Sequence, residues 1–385
     1  MNNYVNQNNN SKRKLGIYIH IPFCVRKCYY CDFLSFGGCN DKFDSYVNSL
    51  VKEIKTEGSR YKDSYVVDSI FIGGGTPSIL KAEDIARILN ALKETYEIDN
   101  NAEISIECNP GTVIPGFFDK IKAAGVNRVS IGLQSALDEE LKLIGRIHTY
   151  EDFLNTYQMA KDAGIDNINI DLIHSLPEQT KEKYLQTLNK VIELKPKHIS
   201  AYSLIIEEGT PIADMKYSFP SEDEDIEFYE LTEKILAEAG YKKYEISNFC
   251  LEGYECKHNI KYWTLDEYVG FGLGSSSMMI MDGKRTRWHN ITNLDTYIAG
   301  DYSHEDLSVI EGREDMAEYM FLGLRMTDGI SIDGFLRRYG QSLESIYGDI
   351  IAKHKDEGLL KTADSRIMLT KRGVELSNYV MKDFL

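Results

Sequence analysis

The chain has 385 residues, of which 43% are hydrophobic and 27% charged, a balance typical of globular proteins rather than disordered or fibrous ones. Aspartate and glutamate number 60 against 44 lysine and arginine residues, so the net charge is −16. Such a charge repels phosphate backbones and anionic lipids, so we expect no nucleic acid partner and at most peripheral membrane contact. The apolar runs, such as 66–72, are too short to span a bilayer.

The first 14 residues, MNNYVNQNNNSKRK, end in basic residues but contain no apolar core. We therefore predict a disordered leader rather than a secretory signal. An odd number of cysteines in a long chain without a signal favours reduced thiols and metal chemistry over disulfides, and a cytoplasmic location. The seven cysteines are Cys24, Cys28, Cys31, Cys39, Cys108, Cys250 and Cys256.

From residue 16 to residue 240, short β-branched runs alternate with amphipathic helical stretches. The predicted strands lie at 17–21, 69–72, 103–107, 128–131, 167–172 and 198–204. The predicted helices lie at 41–57, 81–96, 115–124, 150–163, 181–194 and 222–239. Strict alternation of this kind predicts parallel strands in a barrel or a doubly wound sheet. Six units are fewer than a full barrel needs, so we expect a partial (β/α)6 TIM-like barrel over residues 15–240.

The alternation of predicted strands and helices ends after residue 240. A mixed junction segment, 241–310, is followed over 311–385 by a compact pattern that suggests a small winged-helix-like α+β domain. Its predicted elements are helices at 314–325, 332–338 and 343–357, a strand pair within 359–370 and a last helix from residue 372. Residues 305–385 carry 11 basic and 15 acidic side chains, which favours packing or partner contact over DNA binding.

Three cysteines, Cys24, Cys28 and Cys31, fit the spacing C-x3-C-x2-C directly after the first predicted strand. Thiolates on a short loop hold iron–sulfur clusters, and three of them leave one iron of a [4Fe–4S] cluster open. The alternatives are a zinc site, for which His20 and Cys39 are the nearest further ligands, or three unrelated buried thiols. The neighbouring aromatic side chains would shield a cluster from water or simply pack.

Other polar residues also follow predicted strands, among them the GGGTP turn (73–77), Glu107, Gln134 and Asp171. The carboxyl ends of parallel strands meet at one face of a barrel, and sites are assembled there. We therefore expect one shared site at the barrel mouth.

The motifs around these positions resemble a known family. YIHIPFC (18–24), GGGTPS (73–78), ECNP (107–110), RVSIGLQS (128–135), YEISNF (244–249) and HNIKYW (258–263) are together similar to the oxygen-independent coproporphyrinogen III oxidase family of radical S-adenosylmethionine (SAM) proteins. The chain looks most like the heme chaperone branch of that family. In the oxidases proper, a cysteine stands two residues after the third cluster cysteine, whereas this chain has Phe33.

The resemblance implies a [4Fe–4S] cluster on the three cysteines and SAM beside it. The residues that it implies as cofactor contacts are Tyr18, Tyr30, Gly74, Gly75, Thr76, Glu107, Gln134, Arg146 and Asp171. Gly74, Gly75 and Thr76 would line the methionine end of SAM, where glycine lets the backbone come close. Taken singly, the glycine turn and the charged residues could be an ordinary turn and ordinary ion pairs.

For heme, His258 of HNIKYW is the candidate ligand, with Tyr262 and Trp263 packing on the porphyrin. The alternative is that His258 and its neighbours only cap or connect the domain junction. Cys256, His20 and His289 also stay open as ligands. The stretch 270–278, GFGLGSSSM, lacks a histidine that relatives often carry there.

The function implied by the resemblance is to bind heme and deliver it to an acceptor, such as a respiratory heme protein. No catalytic residue is assigned. If the chain is an enzyme, the implied reaction is oxidative decarboxylation of coproporphyrinogen III to protoporphyrinogen IX, against which Phe33 counts. A radical SAM enzyme with another substrate and a partner-binding protein with a structural cluster are further alternatives. Whether the chain forms a homodimer is left open.

Overall fold

A partial barrel of six parallel strands forms the body of the molecule. The computed structural model describes residues 12–385, and the six strands pair in the order in which they occur along the chain. The barrel strands are Arg13–Ile21, Tyr65–Gly74, Ile98–Cys108, Arg128–Gln134, Asn167–His174 and His198–Ser203. The predicted (β/α)6 fold is confirmed. The predicted leader lies outside the described residues up to residue 11, and Arg13 and Lys14 already belong to the first strand.

Each barrel strand alternates between an apolar outer face and a polar inner face. Ile17, Ile70 and Ile104 are neighbours in the register and belong to one hydrophobic core. The intervening side chains, such as Tyr18 and Ser130, line an interior cavity. Successive residues of a strand point to opposite faces, so alternate residues pack against the helices and the residues between them face the site.

The helices that connect these strands cover the outer face. They are Phe43–Thr56, Ala82–Thr95, Phe117–Ala123, Asp138–Leu143, Tyr150–Asp162, Lys181–Glu193 and Glu222–Glu238. Two of them begin with a capping box, formed by Thr149 with Asp152 and by Ser221 with Glu224. These reciprocal hydrogen bonds satisfy backbone N–H groups that have no partner inside the helix. The predicted helices are confirmed to within two residues at each end, and only the short helix Asp138–Leu143 was not predicted.

The sheet continues beyond the barrel at both edges. After the sixth strand it adds Asn248–Cys250 and Lys242–Lys243, both antiparallel. Beside the first strand it adds Tyr268–Phe271 in parallel, and then three antiparallel strands, Ser276–Met281, Lys284–Asn290 and His304–Ile310. A short helix, Leu294–Ile298, connects the last two. The junction segment therefore contains six strands that the sequence did not predict.

A helix closes the amino end of the barrel. Lys257–Thr264, which contains HNIKYW, contacts Gly16, Ser69 and Glu103 near the amino ends of the first three strands. Its His258 and Lys261 lie against Gly16, and Glu103 accepts hydrogen bonds from the backbone N–H of Lys257 and His258 at 3.2 Å each. A side chain at Gly16 would clash with this helix, since its Cβ would lie 2.8 Å from Lys261. The helix is thus the floor of the barrel interior.

The C-terminal residues have their own hydrophobic core, made of residues between Met316 and Phe384. The helices are Arg313–Gly323, Ile332–Tyr339, Leu343–Asp356, Lys371–Glu375 and Ser377–Lys382, and the antiparallel strands are Ile330–Ser331, Leu360–Ala363 and Arg366–Leu369. This arrangement confirms the winged-helix-like α+β fold. Within residues 12–385, no helix has the length and the hydropathy that a membrane span requires.

A buried ion pair connects the added strands to the C-terminal helices. Arg285 contacts Asp315 at 2.9 Å and Glu318 at 2.6 Å, and both Arg285 and Asp315 are 1% exposed. Removing one partner of a buried pair leaves an uncompensated charge. We expect Arg285→Met to lower the free energy of unfolding by about 3–5 kcal/mol, measured by urea denaturation.

Arg287 on the same strand gives a matched control. It also contacts Glu318, at 3.1 Å, but is 45% exposed. Exposed ion pairs contribute little, so Arg287→Met is expected to cost at most about 1 kcal/mol. Equal losses in the two variants would contradict the assigned importance of the buried pair.

Candidate functional site

The three predicted cluster cysteines lie on one loop at the barrel mouth. Cys24 is buried, at 8% exposure, whereas Cys28 and Cys31 are half-buried. The loop is anchored by hydrogen bonds to its neighbours. Tyr29 N–H donates to the carbonyl of Ile144 at 3.1 Å, and the carbonyl of Tyr29 accepts from Ile212 N–H at 3.0 Å. These anchors hold the thiols in place at the end of the first strand.

Two of the three sulfurs accept hydrogen bonds from the walls of the barrel. Thr76 Oγ1 donates to Cys24 Sγ at 3.5 Å, and Arg146 Nη1 donates to Cys28 Sγ at 3.6 Å. Both donors were predicted as SAM contacts. The structure adds a contact with the cluster loop, and such donors tune iron–sulfur clusters.

The glycine turn after the second strand packs directly against the cluster loop. Gly75 N–H donates to the carbonyl of Ile21, and a Cβ at Gly75 would lie 2.9 Å from Cys24 Sγ. Gly74 has a φ of +118°, which L side chains rarely adopt. Its N–H donates to Glu107 Oε2 at 3.1 Å. Only glycine leaves room here for a close backbone approach to Cys24 and to a ligand beside it.

A cavity of about 150 Å³ lies inside the barrel below this turn. Its lining side chains are Tyr18, Phe71, Glu107, Arg128, Ser130, Asn169, Asp171, Ser200, Tyr202, Asn259 and Tyr262. Burial, reinforced by the charge of Asp171, raises the pKa of Glu107 to about 8. Burial also raises the pKa of Asp171. Both shifts arise because the carboxyl groups are poorly hydrated in the cavity. Such groups favour a ligand with hydroxyl or ammonium donors.

The other predicted SAM contacts also lie at or near the mouth. Gln134 ends the fourth strand with a φ of 64°, and its buried Oε1 has no hydrogen-bond partner. An orphaned acceptor at this position fits a bound ligand. Tyr18 lines the cavity, with its hydroxyl 3.0 Å from His20 Nδ1. Tyr30 packs instead against a small apolar cluster under the cluster loop.

His258 lies at the opposite end of the barrel from the cysteines. It is fully buried, and both ring nitrogens have partners: Ser69 Oγ at 3.0 Å from Nδ1 and Tyr262 OH at 2.9 Å from Nε2. Burial, helped by the nearby charge of Lys261, lowers the pKa of His258 to about 3, so the imidazole is neutral. Trp263 contacts the guanidinium of Arg325 at 4.3 Å from its ring centre. The helix therefore connects the barrel floor to the C-terminal helices.

The remaining candidate ligands are also engaged by the protein. His20 Nε2 lies 2.9 Å from the carbonyl oxygen of Leu34, and His289 Nε2 lies 2.9 Å from Asp306. Cys256 is buried beside Glu103. Within residues 12–385, no three thiol, imidazole or carboxyl groups converge on one point as the ligands of a single ion do. The cysteines of a four-iron cluster bind separate iron atoms instead.

Comparison with known proteins agrees with this geometry. The model of the Radical SAM superfamily matches residues 18–191, and that of the HemN C-terminal domain matches residues 310–376. Proteins named heme chaperone HemW from Lactococcus lactis, Bacillus subtilis and Escherichia coli are 36%, 33% and 33% identical to the chain. Each comparison covers 96% of this chain, and 96%, 98% and 98% of the relative. The chain belongs to the HemW family.

A solved structure agrees with the fold of this HemW family member. Coproporphyrinogen III oxidase (HemN) from Escherichia coli, described as a radical SAM enzyme, is similar with a TM-score of 0.85. The superposition covers 97% of this chain and 90% of that enzyme at 24% identity, so it shows the fold alone. Membership in a radical SAM family implies a [4Fe–4S] cluster and SAM. The room beside Gly75, the orphaned Gln134 oxygen and the carboxyl groups of Glu107 and Asp171 fit those two cofactors.

Sequence reasoning missed several residues of this site, of which Asn109 and Arg128 are the most informative. Asn109 hydrogen-bonds both Thr76 and Arg146, at 2.8 Å and 2.6 Å, and Arg128 lines the bottom of the cavity. Both stand inside motifs that were recognised, ECNP (107–110) and RVSIGLQS (128–135). Asn109 could have been found as the second residue beyond Glu107 at the end of the same strand. Arg128 begins its strand, and nothing local marks it as facing the interior.

Proposed function

We propose that this protein is a cytosolic radical SAM protein that binds heme and transfers it to an acceptor protein. The observation that carries the proposal is the similarity over 96% of the chain to proteins named heme chaperone HemW. Phe33, which is 70% exposed at the position where the oxidases carry a cysteine, supports the same choice. The seven free thiols support a reducing compartment.

In this proposal, Cys24, Cys28 and Cys31 hold the cluster, and Gly74 and Gly75 give SAM room beside it. When bound, the two cofactors supply one-electron chemistry. The chain's own residues bind and orient: the side chains proposed to contact SAM are Tyr18, Thr76, Glu107, Gln134, Arg146 and Asp171, and Tyr30 supports the cluster loop from below. The apolar cluster under the loop, with Ile144, Ile173, Leu176 and Ile212, keeps water from this face of the loop.

The heme ligand is the finer part of the proposal, and His258 is its candidate. In the structure, an iron atom would reach the His258 imidazole only after the helix Lys257–Thr264 leaves the barrel floor. Ligation by His258 therefore requires the loss of the hydrogen bonds to Ser69 and Tyr262. A heme that binds without moving this helix would need another ligand.

An anaerobic heme titration of the cluster-loaded protein tests the function. We expect saturation near one heme per chain, followed by transfer to an apo-heme protein added in excess. His258→Ala and His289→Ala are titrated in parallel, because both imidazoles were candidates. A Soret band altered only in His258→Ala identifies the ligand, and identical spectra in all three proteins exclude both.

The decarboxylase is tested in the same preparation. Coproporphyrinogen III, SAM and a strong reductant are added under anaerobic conditions, and protoporphyrinogen IX is measured after oxidation to the fluorescent porphyrin. Turnover without saturable heme binding would overturn the proposed function and support the oxidase. Heme binding without turnover would support the chaperone.

A further inference from the structure

A chain of side-chain hydrogen bonds connects two of the proposed cluster ligands through Asn109. Asn109 Nδ2 donates to Thr76 Oγ1 at 2.8 Å, and Thr76 Oγ1 donates to Cys24 Sγ at 3.5 Å. A hydroxyl has a single hydrogen. Because Thr76 accepts from Asn109, that hydrogen is directed at the sulfur of Cys24.

The other half of the Asn109 amide continues to the second cysteine. Asn109 Oδ1 accepts from Arg146 Nη2 at 2.6 Å, and Arg146 Nη1 donates to Cys28 Sγ at 3.6 Å. Arginine only donates, so the amide atom that faces it must be the oxygen. The orientation of the amide is thereby fixed, and Nδ2 necessarily faces Thr76.

The backbone of Asn109 is itself held in place. Its N–H donates to Ser78 Oγ at 3.0 Å, and its carbonyl accepts from Thr112 Oγ1 at 2.8 Å. Ser78 and Thr112 are 2.7 Å apart. The donors around the two sulfurs are also shielded from water, since Thr76 is 2% and Arg146 is 9% exposed. Hydrogen bonds in such surroundings are stronger than at the surface.

We propose that Asn109 is a positioning residue that sets the reduction potential of the cluster by directing the Thr76 hydroxyl and the Arg146 guanidinium at the sulfurs of Cys24 and Cys28. The inference rests on the proposed assignment of these cysteines as cluster ligands. Reduction adds one negative charge to the cluster. Donors aimed at the sulfurs stabilise the reduced state more than the oxidised state, which makes the potential less negative.

Replacing Asn109 by aspartate reverses one half of this arrangement. The carboxylate has no N–H, so Thr76 donates to the carboxylate and turns its hydrogen away from Cys24. The added negative charge acts in the same direction. Arg146 keeps its place, because the carboxylate still accepts from it and the carbonyl of Gly132 accepts from Nη2 at 2.7 Å. The variant thus removes one sulfur donor with little change of shape.

The experiment is a potentiometric titration of the reconstituted cluster without SAM, monitored by the electron paramagnetic resonance signal of the reduced state. Asn109→Asp is expected to shift the one-electron reduction equilibrium at least tenfold towards the oxidised cluster, a change of about 59 mV. Asn127→Asp is the matched control. Asn127 also makes two hydrogen bonds through its side-chain amide, with Ala102 and Ile104 of the strand Ile98–Cys108. The cluster of Asn127→Asp is expected to keep the wild-type reduction potential.

A second variant separates the positioning effect from the added charge. Thr76→Val removes the same donor and keeps the side-chain shape, so it is expected to lower the potential by itself. In the Thr76→Val background, Asn109→Asp should shift the potential less than in the wild type, because the donor it acts through is gone. If Asn109→Asp takes up no cluster, an unchanged potential in Thr76→Val overturns the inference.

Different results would overturn the role of Asn109 and the assignment of the cluster ligands. A normal cluster with a wild-type potential in both Asn109→Asp and Thr76→Val overturns the role of Asn109 alone. Equal shifts of the reduction potential in Asn109→Asp and Asn127→Asp would show that the added charge alone causes the shift. That result would also overturn the positioning role of Asn109. A wild-type chain that binds no four-iron cluster would overturn the ligand assignment, and with it this inference.

Discussion

A Cys28→Ser variant is expected to lose nearly all of its cluster iron and, with it, the visible absorption of a four-iron cluster. Residues 24–31 contain no cysteine besides the three proposed ligands, and a serine hydroxyl is a poor replacement for a thiolate. Iron and acid-labile sulfide are measured after anaerobic reconstitution. The fold should persist, because Cys28 is half-buried and the loop is anchored through the backbone of Tyr29.

Cys39→Ser is the control for that experiment. Cys39 is also half-buried and lies eight residues beyond Cys31. Its thiol donates a hydrogen bond to the carbonyl of Gly37 at 3.5 Å. We expect wild-type iron and sulfide contents. A loss of cluster in Cys39→Ser together with retention in Cys28→Ser would contradict the proposed ligand set.

Glu107→Gln is expected to weaken SAM binding by about 10- to 100-fold, the usual loss for a hydrogen bond to a charged group. The carboxyl group lines the interior cavity and accepts from Gly74 N–H. An amide keeps the size of the side chain but loses half of its acceptors and all of its charge. Equilibrium dialysis of SAM against the cluster-loaded protein measures the change.

The same residue gives SAM binding a pH dependence. In the ligand-free protein, burial beside Asp171 raises the pKa of Glu107 to about 8, whereas the contacts with Gly74 and Arg128 oppose this shift. At pH 7 most Glu107 side chains are therefore protonated, and a ligand that donates to the carboxylate must displace the proton. Affinity should rise as the pH rises towards 8, by at most about tenfold per pH unit, and level off above it.

Two variants check the cause of this profile. In Glu107→Gln the dependence should largely disappear, and in Asp99→Asn, an outer carboxyl group of the same strand, it should persist. A profile that survives in Glu107→Gln would assign the titration to another group, of which Asp171 is the nearest.

The barrel could be predicted because each of its strands alternates apolar and polar residues beside a periodic helix. Runs such as 167–172 carry isoleucine or leucine at every second position, and burial of those side chains against helices decides their conformation. The four strands within 268–310 lack that context. Three of them contain glycine or serine. One of the four pairs with the first strand of the chain, and that long-range contact makes them part of the sheet.

The sequence could predict that the proposed site residues gather at one mouth, but it could not predict the hydrogen bonds between them. Spacing alone indicates Cys24, Cys28 and Cys31, since a short loop must bring them together. No local pattern shows that Arg146 reaches Cys28 across 118 residues, or that HNIKYW lies at the far end of the barrel from the cysteines. These contacts depend on the register between strands, which is settled by tertiary packing.

The helix Lys257–Thr264 under the barrel bears on the order in which two ligands can bind. The interior cavity lies between Lys257–Thr264 and the mouth, where the cluster loop lies. A flat ligand that covered the mouth would lie across the approach from that side. In the proposed function, SAM is therefore expected to bind before the larger molecule and to leave after it. A porphyrin bound beforehand at the mouth would then slow the association of SAM to the rate at which the porphyrin leaves, which is the kinetic signature of ordered binding.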